Sequence, residues 1–417
     1  MRITNKGMLQ KIKKITFVAI SLSLLIFWSC DETTKFGQGE LFNPAVQGEL
    51  ASDTLYAVVD TTFSIDIPNT RGSDRLMVGS FAGIQCRPIL KFSSLPTGAT
   101  ITEAHIKFIT AYITGDNPQP FTVKAHPILN DWISNTDFTW DDYLQHIDTT
   151  QTLGSINVTA SDNDTIIMDI DSLGLNYFNK WVNEDSLDFN YGFMLQYYNA
   201  NFIKEFNSNR NPQGPQVILS YNFPGDTTLK DSAYSTSDAF LIKGDFSRQA
   251  GLNYVASITP WVSLLQFNTT DLLDSLPEGF VVESANLQLS IDRSNTLFDP
   301  GFGAFFNILK LTSEMDSSKV VIDSSVFGSP TYTIDMTNLS DDSSYVEINV
   351  GTERSNFGQL YLQDRVDDPQ TTKKLYVGFK NNIDFFSYIA LFKRNYPDLT
   401  KRPRLILQYW IPPYPRY

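Results

Sequence analysis

The sequence predicts an all-β protein built as two tandem β-sandwich modules behind a signal peptide and a short tether. Three observations carry this reading. Runs rich in Val, Ile, Phe, Tyr and Thr alternate with clusters of Asn, Asp, Gly, Pro and Ser, helical periodicity is nearly absent, and the chain contains an internal repeat. The strand-length runs are Ile101–Ile113, Phe121–Leu129, Thr165–Ile170, Tyr191–Tyr198, Val217–Asn222, Ala285–Ile291, Tyr345–Val350 and Leu405–Trp410. Ser172–Val182 is the best helix candidate, because Leu175, Phe178 and Val182 recur on one face.

The repeat sets the organisation. Residues 95–109 (LPTGATITEAHIKFI) align with 276–290 (LPEGFVVESANLQLS), with apolar positions matched at Ile101/Val282, Ile106/Leu287 and Phe108/Leu289. Upstream, Ile89–Phe92 corresponds to Leu264–Phe267; downstream, 215–224 (PQVILSYNFP) corresponds to 403–412 (PRLILQYWIP). Gly192-Phe193 is matched with Gly378-Phe379. The division is therefore 53–224 for module one and 225–417 for a divergent module two, each expected to close its own core and to lie end to end. Pro96 fixes φ and Gly98 permits a turn, after which Ile101, Glu103, His105 and Lys107 alternate along a strand.

Composition narrows the function classes. The 417 residues carry 32 Lys plus Arg against 46 Asp plus Glu, a net charge of −14. Five of the positives lie in the first fourteen residues, so removal of 1–29 leaves 27 basic and 46 acidic residues, or −19. A chain this acidic lacks the cationic face that nucleic-acid binding requires. The 30 Phe, 19 Tyr and 6 Trp demand a packed interior. Two cysteines cannot build a disulfide scaffold or a thiolate zinc site. Cys86, in the apolar context GIQCRPILKF, reads as a buried small hydrophobe.

The N-terminus reads as an address. Residues 1–14 are cationic and Ile15–Trp28 is an apolar run, too short for the roughly 20 residues that span a bilayer. This is the pattern of a secretory signal peptide over 1–29, with Met1 and Met8 both able to start it. Ser29-Cys30 resembles the lipobox of bacterial lipoproteins, with Phe27 where Leu is commonest; the resemblance makes Cys30 the lipidated first residue of the mature chain. Asp31-Glu32 resembles the acidic export signal of surface lipoproteins in Bacteroidota-type bacteria. These features imply attachment to the outer membrane through a lipid anchor, on the cell surface, with residues 30–52 as the tether.

The order of motifs in module one is more specific. RLMVGS is followed by CRPILKFSSLPTGATITEAHIKF, then DWISNTDFTWDDY, an amphipathic segment with Trp181, NYGFMLQY and GPQVILSY. Through Leu90–Phe92, Leu95–Ile106 and the pair Trp132 and Trp140, residues 53–224 resemble the DNRLRE domain family, grouped as carbohydrate-binding module family 96. Residues 231–412 match it only at the LPEG segment and the last strand, and lack the paired Trp segment. The resemblance implies jelly-roll-like sandwiches and a polysaccharide or glycan as partner. Trp132, Trp140 and Tyr143, flanked by Asp131, Asn135, Asp141 and Asp142, are the candidate carbohydrate-binding residues; packing over a sandwich end is the other reading of the same rings. A neutral glycan is favoured over a polyuronate, since the acidic flank repels uronates unless Arg71, Arg75, Arg87 and Lys91 converge.

No HExxH, GxSxG, P-loop or dinucleotide fingerprint is present, and the expectation is a non-enzyme. Asp141-Asp142 and Asp169/Asp171 read as turn and strand-edge charges rather than a glycosidase pair. His105, His126 and His146 are scattered, with no nucleophile motif beside them. No cofactor is expected; Asp162-Asn163-Asp164 offers oxygens for a structural calcium but lacks the EF-hand continuation and its Gly. The rival expectation is a structural or assembly lipoprotein whose sandwiches contact envelope protein partners.

Overall fold

The computed structural model describes residues 48–411, except 65–68, 117, 134–139, 142–144, 162–164, 184–189, 226, 260, 269, 277–279, 298–303, 311–330, 335–344, 350–374 and 380–382. The leader, Cys30, most of the tether, Tyr143 and Asp162–Asp164 therefore lie outside the described residues. The chain is all-β. Its first stretch forms β1 (Glu49–Ser64), β2 (Arg75–Phe81), β3 (Ile84–Lys91), β4 (Thr100–Thr114), β5 (Phe121–Pro127), β6 (Gly154–Val158), β7 (Thr165–Ile170), helix α1 (Ser172–Asn183), β8 (Phe193–Tyr198), β9 (Ile203–Asn207) and β10 (Gln216–Asn222). The remainder forms β11 (Leu229–Tyr234), β12 (Ser237–Gly244), β13 (Leu252–Ala256), β14 (Trp261–Phe267), α2 (Thr270–Ser275), β15 (Val281–Ser290), β16 (Ala304–Lys310), β17 (Thr331–Ile334), β18 (Tyr345–Asn349), β19 (Leu375–Phe379), β20 (Tyr388–Phe392) and β21 (Arg404–Ile411). Each of the eight apolar runs coincides with a strand, and the helix candidate with α1, whose Phe178 and Val182 are buried.

Eight strands of the first sheet close on themselves in the order β4-β7-β6-β5-β8-β3-β2-β9 and back to β4, all antiparallel. Closure leaves no free edge within the ring. β10 and β11 extend from β4, and β12 extends from β3. Inward residues such as Val78, Ile106, Phe108, Phe193, Phe202 and Val217 fill the interior. α1 seals one end through its polar face as well as its apolar one: Asn179 accepts from the Ile101 amide at 2.7 Å and donates to the Ile101 carbonyl at 2.9 Å. The second sheet runs β17-β16-β19-β14-β1-β21-β15-β18, with β13 on β14 and β20 on β13. Its core gathers Val255, Leu265, Phe267, Leu287, Leu375 and Leu405.

The repeat is visible in strand register. Ile106 faces Val217 as Leu287 faces Leu405, and Ile106 faces Met168 as Leu287 faces Ile348. The same β-bulge recurs in both copies, at Thr102 opposite Ser220/Tyr221 and at Glu283 opposite Gln408/Tyr409. The extra residue inverts the alternation read from the sequence. Ile101 points inward, although simple alternation puts it beside the outward Glu103, His105 and Lys107. The Gly192-Phe193/Gly378-Phe379 match does not survive: Phe193 pairs with Leu90, whereas Leu265, the counterpart of Leu90, pairs with Leu375.

Sheet membership departs from the division at 224/225. β1, the first strand of copy one, forms no ladder with the first sheet; it pairs with β21 over Glu49–Tyr56 and with β14 over Ala57–Ser64. Conversely, β11 and β12 of copy two pair with β10 and β3. The exchange follows the repeat: Ala239 faces Ile89 as Thr61 faces Leu264, Ala233 faces Val217 as Leu55 faces Leu405, and both equivalent pairs lie 178 residues apart. The complete first sheet is thus contiguous over 69–246, and the second consists of 48–64 plus 251–411. Strand structure begins at Glu49, inside the 30–52 segment expected to be a tether. Nor are the halves independent beads. Phe386 and Ile258 are buried in the first core, Phe386 meets Phe81 edge-on at 6.3 Å, and Ser73 Oγ donates to the Ile383 carbonyl at 2.9 Å.

Candidate functional site

Trp132 and Trp140 pack with Ile89, Met194, Ala239 and Leu241 against the outer face of β12-β3-β8. Trp132 is 1% exposed and Trp140 6%. Trp132 Nε1 donates to the Tyr191 carbonyl at 2.7 Å, and the guanidinium of Arg71 lies 5.3 Å from its ring centre. Arg87 lies 4.3 Å over Trp140. Both rings therefore serve as packing here, each faced by an arginine rather than open to solvent, and sugar stacking on them requires the segment that carries them to lift. Of the basic residues, Arg71 and Arg87 lie over the two tryptophans, while Arg75 pairs with the buried Glu205 at 3.0 Å. Asp141 is an exposed partner of Lys243 at 3.0 Å.

The histidines occupy three unrelated places. His105, on the outer face of β4, bridges Asp169 (Nδ1, 2.7 Å) and Glu103 (Nε2, 3.2 Å), and the hydrogen bond to Asp169 raises its pKa. His126 holds the Gln151 carbonyl at 2.6 Å, and burial lowers its pKa. His146 contacts Asn130. Cys86 is a free, buried thiol whose pKa burial raises. Among the described residues no three His, Cys, Asp or Glu side chains gather as a metal site, and no helix is long and apolar enough to cross a membrane. The ammonium of Lys204, fully buried, binds the carbonyls of Thr159 and Ser161, which lead into Asp162–Asp164. A fixed cation thus already serves the backbone next to the segment proposed for calcium.

A separate concavity lies where β1 meets β13. A cleft of about 590 Å³ is lined by Asp60, Thr61 and Thr62 from β1, by Phe246, Arg248 and Gln249 ahead of β13, by Asn253 and Tyr254 within it, and by Lys393. Side chains stitch its two walls together. Thr62 Oγ1 donates to Asn253 Oδ1 at 3.0 Å and accepts from the Tyr254 amide at 3.0 Å, while Asn253 Nδ2 donates to Asp60 Oδ2 at 2.9 Å. Asp60, whose side chain is 4% exposed, is further neutralised by the Arg394 amide at 2.7 Å and guanidinium at 3.3 Å. The Tyr254 hydroxyl accepts from the Gln249 amide at 3.0 Å, which fixes the rim loop, and Phe246 stacks on Tyr388 at 4.4 Å beneath it. Arg248 sits 3.5 Å over Trp261, whose Nε1 donates to Asp245. Apolar rings with a hydroxyl and amide network, and with Asp60 and Arg248 already paired, suit a polar ligand. No local motif announces this cleft, because its walls lie some 190 positions apart in the chain.

No family model matches the chain, and no curated protein matches it. Among solved structures, that of the Macrobrachium rosenbergii nodavirus is 10% identical over 87% of this chain and 96% of its own, with a TM-score of 0.12. The infectious bursal disease virus VP2 subviral particle is 10% identical over 88% and 77%, again with a TM-score of 0.12. Likenesses this slight carry no argument about fold or function.

Proposed function

We propose that this chain is a non-catalytic, lipid-anchored protein of the outer-membrane surface that binds polysaccharide or glycan through its β-sandwich body. The anchor rests on the cationic leader, the apolar Ile15–Trp28 run, Cys30 and Asp31-Glu32. The glycan reading rests on the DNRLRE-like pattern over 53–224, and with it goes a jelly-roll-like description of both sandwiches. The single observation that supports binding best is the β1–β13 cleft. Its rim residues Gln249 and Lys393, beside the Thr62–Asn253–Asp60 network, are polar groups of the kind that meet sugar hydroxyls. The locked Asp60 and the paired Arg248 favour a neutral glycan.

One experiment tests both parts. Cys30→Ser in the full chain is expected to move the protein from the membrane to the soluble fraction; unchanged retention overturns the anchor. Calorimetric titration of that soluble protein with neutral and uronic oligosaccharides is expected to show binding of the neutral set. Gln249→Ala with Lys393→Ala, both at the rim, should weaken it about tenfold or more, roughly 1.4 kcal/mol. Binding that these substitutions leave unchanged but Trp132→Ala abolishes returns the site to the 128–147 segment. The rival reading, protein contact within a surface assembly, draws on one feature: Leu50 and Trp410 face each other across β1 and β21, 49% and 39% exposed.

A further inference from the structure

We propose that β1 is a donor strand: residues 48–64 are the ligand of a groove in the second half, and they hold the N-terminal segment to the body without help from the covalent chain that follows them. Several observations converge on this. β1 forms no ladder with the first sheet, although it precedes it directly in sequence. Its seat is split between two ladders. Glu49–Tyr56 pair with β21 and Ala57–Ser64 with β14, and the register shift between Ala57 and Val59 lets one strand pass from one ladder to the other. Among the described strands, β1 alone is paired with both β14 and β21. The seat is specific beyond the backbone. Ala57 is buried in the second core, its amide donates to the Pro403 carbonyl at 3.0 Å, Asp60 binds Asn253 and Arg394, and Arg394 Nη1 donates to the Val58 carbonyl at 2.6 Å. Strand addition into an open sheet gains affinity from main-chain hydrogen bonds and specificity from alternate side chains, and β1 supplies both. The first sheet, contiguous over 69–246, needs nothing from β1.

The test uses the full chain with Cys30→Ser and a protease recognition sequence in place of residues 65–68. The folded protein is cut and run on size exclusion, first in native buffer and then in denaturant. The expected result is that the N-terminal fragment co-elutes with residues 69–417 in native buffer and separates only in denaturant. Asp60→Ala with Thr62→Ala, which removes the side-chain ties but leaves the ladders, is expected to raise the released fraction severalfold in dilute native buffer. Release of the wild-type fragment on cutting overturns the proposal, whether or not the remainder keeps its β signal. Neither readout depends on a glycan, so a failed ligand assignment leaves this inference standing, and the reverse.

Discussion

Asp238 on β12 shows how one side chain reports on the exchange of strands. It is 5% exposed, accepting from the Asn209 amide at 2.7 Å and Ser235 Oγ at 2.9 Å, and burial pushes its carboxyl up to about 6. The folded pKa lies above the unfolded one, so the charged form carries a penalty that is full above about pH 6 and absent below about pH 4. Stability is therefore expected to rise as pH falls from 7 toward 4, as far as this group is concerned. Asp238→Asn keeps the acceptor and the volume but cannot ionise. It is expected to stabilise the fold by about 1–3 kcal/mol at pH 7.5, with the gap closing near pH 4, in denaturant titrations at both pH values. At the same scale, single residues mark where sequence matching misleads. Gly192 has φ +82°, and a Cβ there would stand 1.9 Å from the Leu90 carbonyl oxygen. Gly378 has no such backbone and lies inside β19. Two glycines looked alike in one dimension and meet different demands in three.

The elements were legible wherever burial imposes a period. β7 alternates exposed and buried residues along its whole length, and α1 buries one stripe, so both were readable at nearly their observed bounds. β1 was not. Of its sixteen residues only Ala57 is buried, and ELASDTLYAVVDTTFS carries the Asp, Ser and Thr of a solvated segment. Its strand character comes from partners more than 190 positions away, which no local window contains. The repeat was readable, but which copy each first strand completes was not, since exchanged and unexchanged pairings satisfy the same pattern. That ambiguity yields a direct test. A fragment 69–246 is expected to fold alone with a cooperative transition in far-ultraviolet circular dichroism. Fragment 53–224 lacks β11 and β12, leaving the flanks of β10 and β3 open, and is expected to be unfolded or aggregated. Two equally stable fragments would mean that the exchanged strands contribute little. The tryptophan segment was legible as a loop rich in aromatics, but its exposure was not: Trp132 and Trp140 are covered by contacts that the sequence does not bring together.

At the scale of the whole molecule, the halves share more than a connector. Phe386 belongs by sequence to the second half yet is buried in the first core beside Phe81. Phe386→Ala is expected to cost about 3–5 kcal/mol and to lower the thermal transition of the first sheet as well as the second. Hydrogen exchange of β2 and β9 amides checks this; protection unchanged there would confine Phe386 to its own half. The candidate cleft is likewise a property of the whole, since Asp60 and Thr62 come from the start of the chain and Asn253 and Tyr254 from its middle.

The pairing of β1 with β21 has a consequence in time. A chain synthesised from its N-terminus delivers β1 well before β14, and β14 well before β21. The contiguous ring over 69–246 has all its strands long before then, while β1 waits, unpaired, for β14 and finally for β21. Closing a loop that joins the two extremes of the chain is a late, entropically costly event. During that interval β1 is an open strand whose backbone groups are free to pair with another chain. β21 completes a seat that β14 alone leaves half-built.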